Sequence, residues 1–448
     1  MSGAAARLPL MSILSELSER VPGRAFGPGS TEYDDGRTVF YGPGDPEAVF
    51  RPTTAEEVAA AVRAAVDANL PIAVRSGGHG SMPATGGVVI DMAEFDGVDL
   101  LDGDLVRVGT GAHWGDVAAA IAPHGLAITS GDTLDVGVGG LALGGGIGWL
   151  VRTHGLTIDL VREIEFVTAA GAVLTVTAES HPDLFWALRG GGGNFGIATR
   201  FVLQASPVGE LVGGHLHFDQ SQVGDVLRAW RDITLASPDE LNSTLIVMPA
   251  IMPELPAGPQ LAVALRGTEE ELRRLLEPLL SLPSITDVSL GPVAYAELLE
   301  AAPPGRPPFQ FVGGNGFVAD VSDELLAAAE RAYAGPAPTM VMLRALGGAF
   351  TRVESDATAV AYRDAQAFFM VNSLLPLDAP ASDVAAVRLV VDEPLSHTAG
   401  HYSNFTQEFG DDVTAIIYPP ETLARLKRVK ADVDPDDVFR PAHHITPA

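Results

Sequence analysis

The chain has 448 residues, 47% of them hydrophobic and 19% charged, which describes a folded protein with a large core and, at this length, more than one domain. Its formal net charge of −29 argues against nucleic acid and anionic membrane surfaces as partners, and the absence of cysteine excludes disulfides, thiolate metal sites, iron–sulfur clusters and thiol nucleophiles. The start, residues 1–7, has no basic stretch followed by an apolar core, and residues 136–151 are too few and too rich in glycine to cross a membrane, so a cytoplasmic protein is expected.

Residues 48–52 read as a short strand. Thr53-Thr54-Ala55-Glu56-Glu57 then carries a Ser/Thr-x-x-Glu cap, and an Ala/Val-rich helix runs to about Asn69. Pro71-Ile72-Ala73-Val74-Arg75 is the next strand, completing β-α-β, and it breaks into Ser76-Gly77-Gly78-His79-Gly80, a glycine turn with one imidazole. Residues 88–92 and 105–109 are further buried-strand candidates, followed by a helix at about 114–123. A long glycine loop comes next, Gly137-Val138-Gly139-Gly140-Leu141-Ala142-Leu143-Gly144-Gly145-Gly146-Ile147-Gly148-Trp149. Residues 164–167 and 173–177 read as a hairpin, 183–189 as a short helix and 196–203 as a strand. Up to about Pro207 the pattern is one α+β unit of short alternating elements.

Beyond it the glycine loops thin out. Helical stretches such as 269–277 and 323–334 alternate with strand candidates at 245–248, 261–265, 310–312 and 339–346, which fits an antiparallel sheet covered by helices. The proline-rich stretches 253–259 and 302–308 read as surface loops. From about Thr398 the chain reverts to loops, then a helix at 420–431 and the ending Asp434-Pro435-Asp436-Asp437-Val438-Phe439-Arg440.

Glycine at the density of the 137–149 loop lets a backbone approach a flat or anionic ligand and aim amides at it, and such amides neutralise a pyrophosphate without a basic surface. A single nucleophilic imidazole on the first loop suggests a cofactor held by a covalent bond, and the two loops together read as a flavin site. Gly191-Gly192-Gly193-Asn194-Phe195-Gly196 satisfies G-x-G-x-x-G, yet it follows a helix and precedes a strand, the reverse of a dinucleotide fingerprint. His443 and His444 are adjacent, which is not a spacing that brings two ligands to one metal, and no metal is expected.

Taken in order, these motifs resemble the berberine bridge enzyme-like branch of the vanillyl-alcohol oxidase / p-cresol methylhydroxylase flavoproteins. The resemblance covers nearly the whole chain and adds Gly155-Leu156-Thr157-Ile158-Asp159, Asp183-Leu184-Phe185-Trp186 and Tyr402-Ser403-Asn404-Phe405. It implies an α+β fold: an FAD-binding domain of two α+β subdomains over 1–207, a substrate domain over 208–397, and a segment over 398–448 returning to the first. It implies FAD bonded through its 8α-methyl carbon to His79. Cofactor contacts are expected from Arg75, Ser76, Gly77, Gly78, His79, Gly80, Thr133, Gly137, Gly139, Gly140, Gly144, Gly145, Gly146, Gly148, Trp149, Gly196, Ile197 and Asn404. Tyr402 is expected as the catalytic base, its pKa lowered by a cation such as Arg344 or Arg363.

Three departures from the family pattern stand out. A second link through cysteine, frequent in relatives, meets Thr133-Leu134-Asp135-Val136-Gly137 here, so attachment is through His79 only. The usual Asn-Gln-Asn-Ile ending is Ala442-His443-His444-Ile445, and a Pro-His-Arg-Asp-like stretch is Ala361-Tyr362-Arg363-Asp364. The resulting expectation is an oxidase removing hydride from a hydroxyl- or amine-bearing carbon of a secondary metabolite or sugar, with oxygen as acceptor, as a monomer or homodimer. A dehydrogenase using another acceptor, and a flavin scaffold with cyclase-like chemistry, are the alternatives. The composition looks like that of a high-GC bacterial protein, which points to natural-product chemistry, and Phe309, Phe311, Phe317, Phe350, Phe368 and Phe369 are candidates for apolar walls.

Overall fold

Thr54 and Glu57 start the first long helix as their spacing predicts. The Thr54 hydroxyl accepts the Glu57 N–H (3.2 Å), and the Glu57 carboxylate accepts the Thr53 N–H (2.6 Å), so two otherwise orphaned helix-start amides are satisfied. The helix, Ala55–Asp67, packs Val58, Ala61, Val62 and Ala65 onto Phe50, Ile72, Val88 and Ile90. The structure is a computed structural model that describes residues 11–80, 82–251, 256–302, 305 and 307–448. The expected absence of a leader at 1–7, and parts of the proline-rich stretches 253–259 and 302–308, lie outside the described residues.

Under that helix lies a four-stranded sheet in the order Ala25–Phe26, Ala48–Phe50, Val88–Asp91, Ile72–Arg75. Val88–Asp91 runs parallel to both its neighbours. Arg75, the last residue of its strand, is pinned by the fully buried Asp91 (3.1 Å), which also pairs with Arg51 (2.8 Å). The chain therefore enters the His79 turn from a fixed point.

A second, antiparallel sheet has the order Val173–Val176, Val161–Val167, Ile197–Gln204, Leu105–Gly109, Val98–Leu100. Trp114–Ile121, Pro182–Ala187 and the late helix Pro420–Val433 cover one face, joining Val106, Ile164, Phe166 and Phe201 in a common core. The chain thus returns to this sheet after its long excursion.

That excursion is a seven-stranded antiparallel sheet, ordered Ile285–Pro292, Leu211–Phe218, Gly258–Arg266, Leu241–Met248, Thr339–Ala345, Ala367–Pro376, Phe309–Val318. Alternation assigns its two faces. Leu245, Val263, Leu343, Phe369 and Val371 pack with Val226 and Trp230 of Val223–Ala236, Leu325 of Asp323–Tyr333 and Val391 of Ala381–Leu395. Ile246, Met342, Phe368, Met370 and Phe317 point the other way and join Ile147 and Tyr402. The expected α+β class and helix-covered antiparallel sheet are what the structure has. Among the described residues no helix is long and apolar enough to cross a membrane.

The 137–149 loop differs from expectation, because Val138–Gly144 is a helix. Val138, Ala142 and Leu143 are buried along one side of it, and that apolar stripe outweighs the low helix propensity of its glycines. The strands read at 245–248 and 310–312 are also longer, Leu241–Met248 and Phe309–Val318.

Candidate cofactor and substrate site

The His79 turn and the glycine stretch, far apart in sequence, meet backbone to backbone. A Cβ on Gly77 would fall 2.8 Å from the Gly137 Cα, so the approach requires glycine. The Ser76 hydroxyl fixes the crossing: it donates to the Thr110 carbonyl and accepts the Gly139 N–H (3.1 Å). The amides of Ser76, Gly77, Gly78 and His79 donate to no acceptor among the described residues. Successive free N–H groups of this kind are what an anion binds. Gly140, the next exposed glycine, has no atom from outside its own helix backbone within 4 Å of where a Cβ would stand, and Gly80 has none beyond its chain neighbours.

The half-buried His79 ring stacks on Phe40, with centroids 5.4 Å apart and planes 19° apart. Burial lowers its pKa below the ordinary histidine value; the Asp135 charge opposes this, His113 adds to it, and Asp132 opposes it. The imidazole is neutral at neutral pH, as a nucleophile must be. Arg75 is already committed, to Asp91 and to the Thr38 carbonyl.

At the other end of the glycine stretch lies Tyr402, which is buried. Its oxygen accepts the Gly146 N–H (2.7 Å) and the Asn404 side-chain amide (3.0 Å). Gly145 has φ +145°, and a Cβ there would lie 2.7 Å from the Tyr402 ring. A Cβ on Gly144 would come closer still to the Asn404 side-chain oxygen. Asn315 on the seven-stranded sheet accepts the Tyr402 backbone N–H (2.7 Å), fixing the returning segment from that sheet.

The expected lowering of the Tyr402 pKa is corrected by the structure. Burial raises it, and the Gly146, Asn404 and Ile147 amides with the Arg344 charge pull back only in part. Both cations expected to help are paired. Arg344 bonds to Asp132, to Thr244 Oγ1 (3.1 Å) and to the Ile147 carbonyl (3.2 Å). The buried Arg363 makes a bidentate pair with Asp159 (2.8 and 2.9 Å). Burial pushes the Asp132 carboxyl up, but the Arg344 guanidinium and the Thr133 hydroxyl outweigh this and hold it below the usual carboxylate range.

The remaining expected residues have mixed surroundings. Gly139 turns its bare Cα to the Thr110 hydroxyl, Gly146 to Thr157 and Gly148 to the Ser130 carbonyl. Trp149 donates its indole N–H to the Leu298 carbonyl (2.9 Å), Gly196 packs on Phe166, and Ile197 is buried beside Val167 in the sheet. The segment around Thr133 is tied to the seven-stranded unit, since Leu134 N–H donates to the Glu300 carbonyl and Glu300 N–H to that of Asp132, both at 2.8 Å. Of the six phenylalanines, Phe317 and Phe368 stand 6.3 and 5.9 Å from Tyr402, with Phe350 stacked behind Phe317. Phe369 faces the helices, and Phe309 and Phe311 pair edge to face at the strand end.

Sequence reasoning gave Phe405, 5.7 Å from Tyr402, only as part of a motif and not as a wall, and it missed Met370 and Ile246, which pack on the same cluster. It also missed how the altered ending docks. His443 Nε2 bonds the Ser403 carbonyl (3.1 Å), while Asn194 donates to the His443 carbonyl (3.1 Å) and accepts the Ile445 N–H (2.9 Å). Asn194 lies in the very glycine run dismissed as a dinucleotide fingerprint.

A sequence model described as an FAD binding domain matches residues 46–177. The FAD-linked oxidoreductase YgaK of Bacillus subtilis is 31% identical over 408 residues, covering 86% of this chain and 88% of its own. Among solved structures, 6-hydroxy-D-nicotine oxidase from Arthrobacter nicotinovorans superposes with a TM-score of 0.83 at 25% identity, over 95% of this chain and 98% of its own. Glucooligosaccharide oxidase from Acremonium strictum, described with a 6-S-cysteinyl, 8α-N1-histidyl FAD, shares the fold at 24% identity with a TM-score of 0.83, over 98% of this chain and 99% of its own. FAD suits the donor set present here: free amides for a pyrophosphate, an open glycine surface for a flat ring, and a neutral imidazole beside them. The chain belongs to the FAD-linked oxidoreductases, and its fold is of the vanillyl-alcohol oxidase / p-cresol methylhydroxylase type.

Proposed function

We propose that the chain is an oxidase that carries FAD on His79 alone, acts on a hydroxyl- or amine-bearing carbon of a small molecule and passes the electrons to molecular oxygen. The observation that carries this reading is the meeting of the glycine stretch with Tyr402, whose hydroxyl is held by Gly146 and Asn404 at the boundary with the seven-stranded sheet. Bound FAD supplies the hydride-accepting ring.

The chain's own residues do the rest. The amides of residues 76–79 would hold the pyrophosphate, and Gly140 would leave room for the cofactor. Neutral His79 has the lone pair needed to bond the 8α carbon. With no cysteine, the chain has no counterpart to the second link of glucooligosaccharide oxidase. Tyr402 would exchange a proton with the substrate heteroatom. The two donors on its oxygen favour a phenolate, burial disfavours it more strongly, and the phenol stays protonated at neutral pH. A base role for Tyr402 therefore predicts flavin reduction that keeps accelerating as pH rises past the ordinary tyrosine pKa of about 10. A reduction rate that levels off near neutrality would assign the base elsewhere.

Oxygen reactivity is tested without knowing the substrate. Protein reduced with one equivalent of dithionite is mixed with air-saturated buffer. Rapid return of the oxidised spectrum with one equivalent of hydrogen peroxide is expected. Reoxidation only on adding a quinone or dye would make the protein a dehydrogenase.

A further inference from the structure

The sheet register sorts the surface beside Tyr402 into rungs. Thr244, Arg344, Phe368 and Phe317 form one cross-strand rung. Ile246, Met342, Met370 and Asn315 form the next, which continues past Ile246 to Gln260 and His217, and Met340, Asn372 and Gly313 form the one after. Side chains on such rungs share one face of the sheet, here the face that joins Tyr402. The first rung is buried throughout. The second and third open outward, where Ile246, Met370, Met340 and Asn372 are half-buried and Phe405, next to Phe368 at 5.6 Å, is exposed.

Nearest Tyr402, the polar groups on these rungs are already used. Thr244 and Arg344 bond each other, and Arg344 pairs with Asp132. Both ends of the Asn315 amide are taken, by the Tyr402 N–H and the Thr406 hydroxyl. Gln260 donates to the Pro256 carbonyl (2.6 Å), and between Ile246 and Gly313 only Asn372 among the described residues has an uncommitted side-chain amide. What the open part of the face offers is thioether, aliphatic and aryl surface, with polar atoms concentrated at Tyr402 and Asn404. A sugar chain laid between Ile246 and Phe405 would exchange its water for methionine at several hydroxyls and find a single free amide there in return. A flat apolar body with one polar end would lose little.

From this we infer that the substrate is a largely apolar, aromatic-sized alcohol or amine, its reacting end at Tyr402 and its body on Ile246, Met342, Met370 and Phe405, and that oligosaccharides are not accepted. The inference rests on reading Tyr402 as the reacting end of the site. Fold likeness to sugar oxidases does not oppose it, since a shared fold does not carry substrate choice.

The test uses holoprotein and binding. 2-Naphthol and cellotetraose are titrated separately while the visible flavin spectrum is recorded. 2-Naphthol is expected to give a saturable difference spectrum and cellotetraose none. Met370→Asp is expected to weaken 2-naphthol binding by about tenfold or more, and the nearly isosteric Met370→Gln by a smaller factor, both with wild-type flavin content. A spectral response to cellotetraose, no response to 2-naphthol, or unchanged 2-naphthol affinity in both well-folded variants would overturn the inference. Absence of bound flavin, or of peroxide after dithionite reduction, would instead overturn the oxidase reading, so the two failures are distinct.

Discussion

Two walls meet at Tyr402, and they are made by different means. On the proposed cofactor side, Gly77 against Gly137 and Gly145 against the Tyr402 ring leave out side chains, so binding there would rest on amides and on bare Cα atoms. On the substrate side, Ile246, Met342 and Met370 stand on the rungs of a sheet whose other face is locked under helices. The first wall should be intolerant of any added carbon and indifferent to polarity elsewhere; the second should tolerate changes of shape and respond to polarity.

The largest expected effect abolishes the contrast by damaging the support behind the cofactor wall. Lys430 and Asp434 are both 0% exposed, and the ammonium reaches Asp434 (2.6 Å) and the carbonyls of Asn194 and Phe439 (both 2.7 Å). Lys430→Met leaves a buried carboxylate without its cation, at a cost of about 3–5 kcal/mol. Chemical denaturation should show that loss, together with poorer flavin retention, because Asn194 also anchors His443 and Ile445.

Next in size is Tyr402→Phe, which keeps the ring against Gly145 and removes only the oxygen. Flavin content should be unchanged while the reductive half-reaction slows about 10²-fold. Unaltered reduction by a true substrate would leave Tyr402 as a covering residue. Gly145→Val sharpens the contrast from the other side. Its φ of +145° is strained for valine by about 1–3 kcal/mol, and its side chain would meet the Tyr402 ring. Soluble protein that has lost FAD is expected, as seen in the absorbance ratio of flavin to protein. Normal FAD content would make the glycine a packing device.

The smallest effect concerns pH. Burial lowers the His79 pKa, so the nucleophilic neutral form persists to below about 6.5. Apoprotein mixed with FAD should therefore form acid-stable flavin at a rate that is flat above neutrality and falls only in more acidic buffer. A rate that rises steeply between pH 7 and 9 would contradict a lowered pKa.

Much of the proposed cofactor wall stands out in the sequence because it is local. His79 in its glycine turn, the 137–149 stretch and the Tyr402-Ser403-Asn404 segment each announce themselves in a few consecutive residues. The helix-covered sheet was legible as a class, through alternation such as that of 339–346. Ala367–Pro376, the strand carrying Phe368 and Met370, was not. Ala-Phe-Phe-Met-Val is apolar on both faces, since one packs on helices and the other on Tyr402, and two-sided burial erases the period. The pairing of Arg344 with Asp132 and the docking of His443 beside Ser403 depend on contacts between residues 212 and 40 positions apart, which no local pattern encodes. For the same reason the tyrosine pKa was expected to move in the wrong direction: burial is a tertiary property.

The central claim, that FAD is carried on His79 alone, is tested most directly by precipitating the purified protein with acid, digesting it and locating the flavin by mass spectrometry. The account predicts a yellow precipitate, with the flavin mass on the peptide that contains His79 and on no other. In His79→Ala, flavin should be bound in the folded protein and released completely by acid. Quantitative recovery of free FAD from acid-treated wild type would contradict the claim.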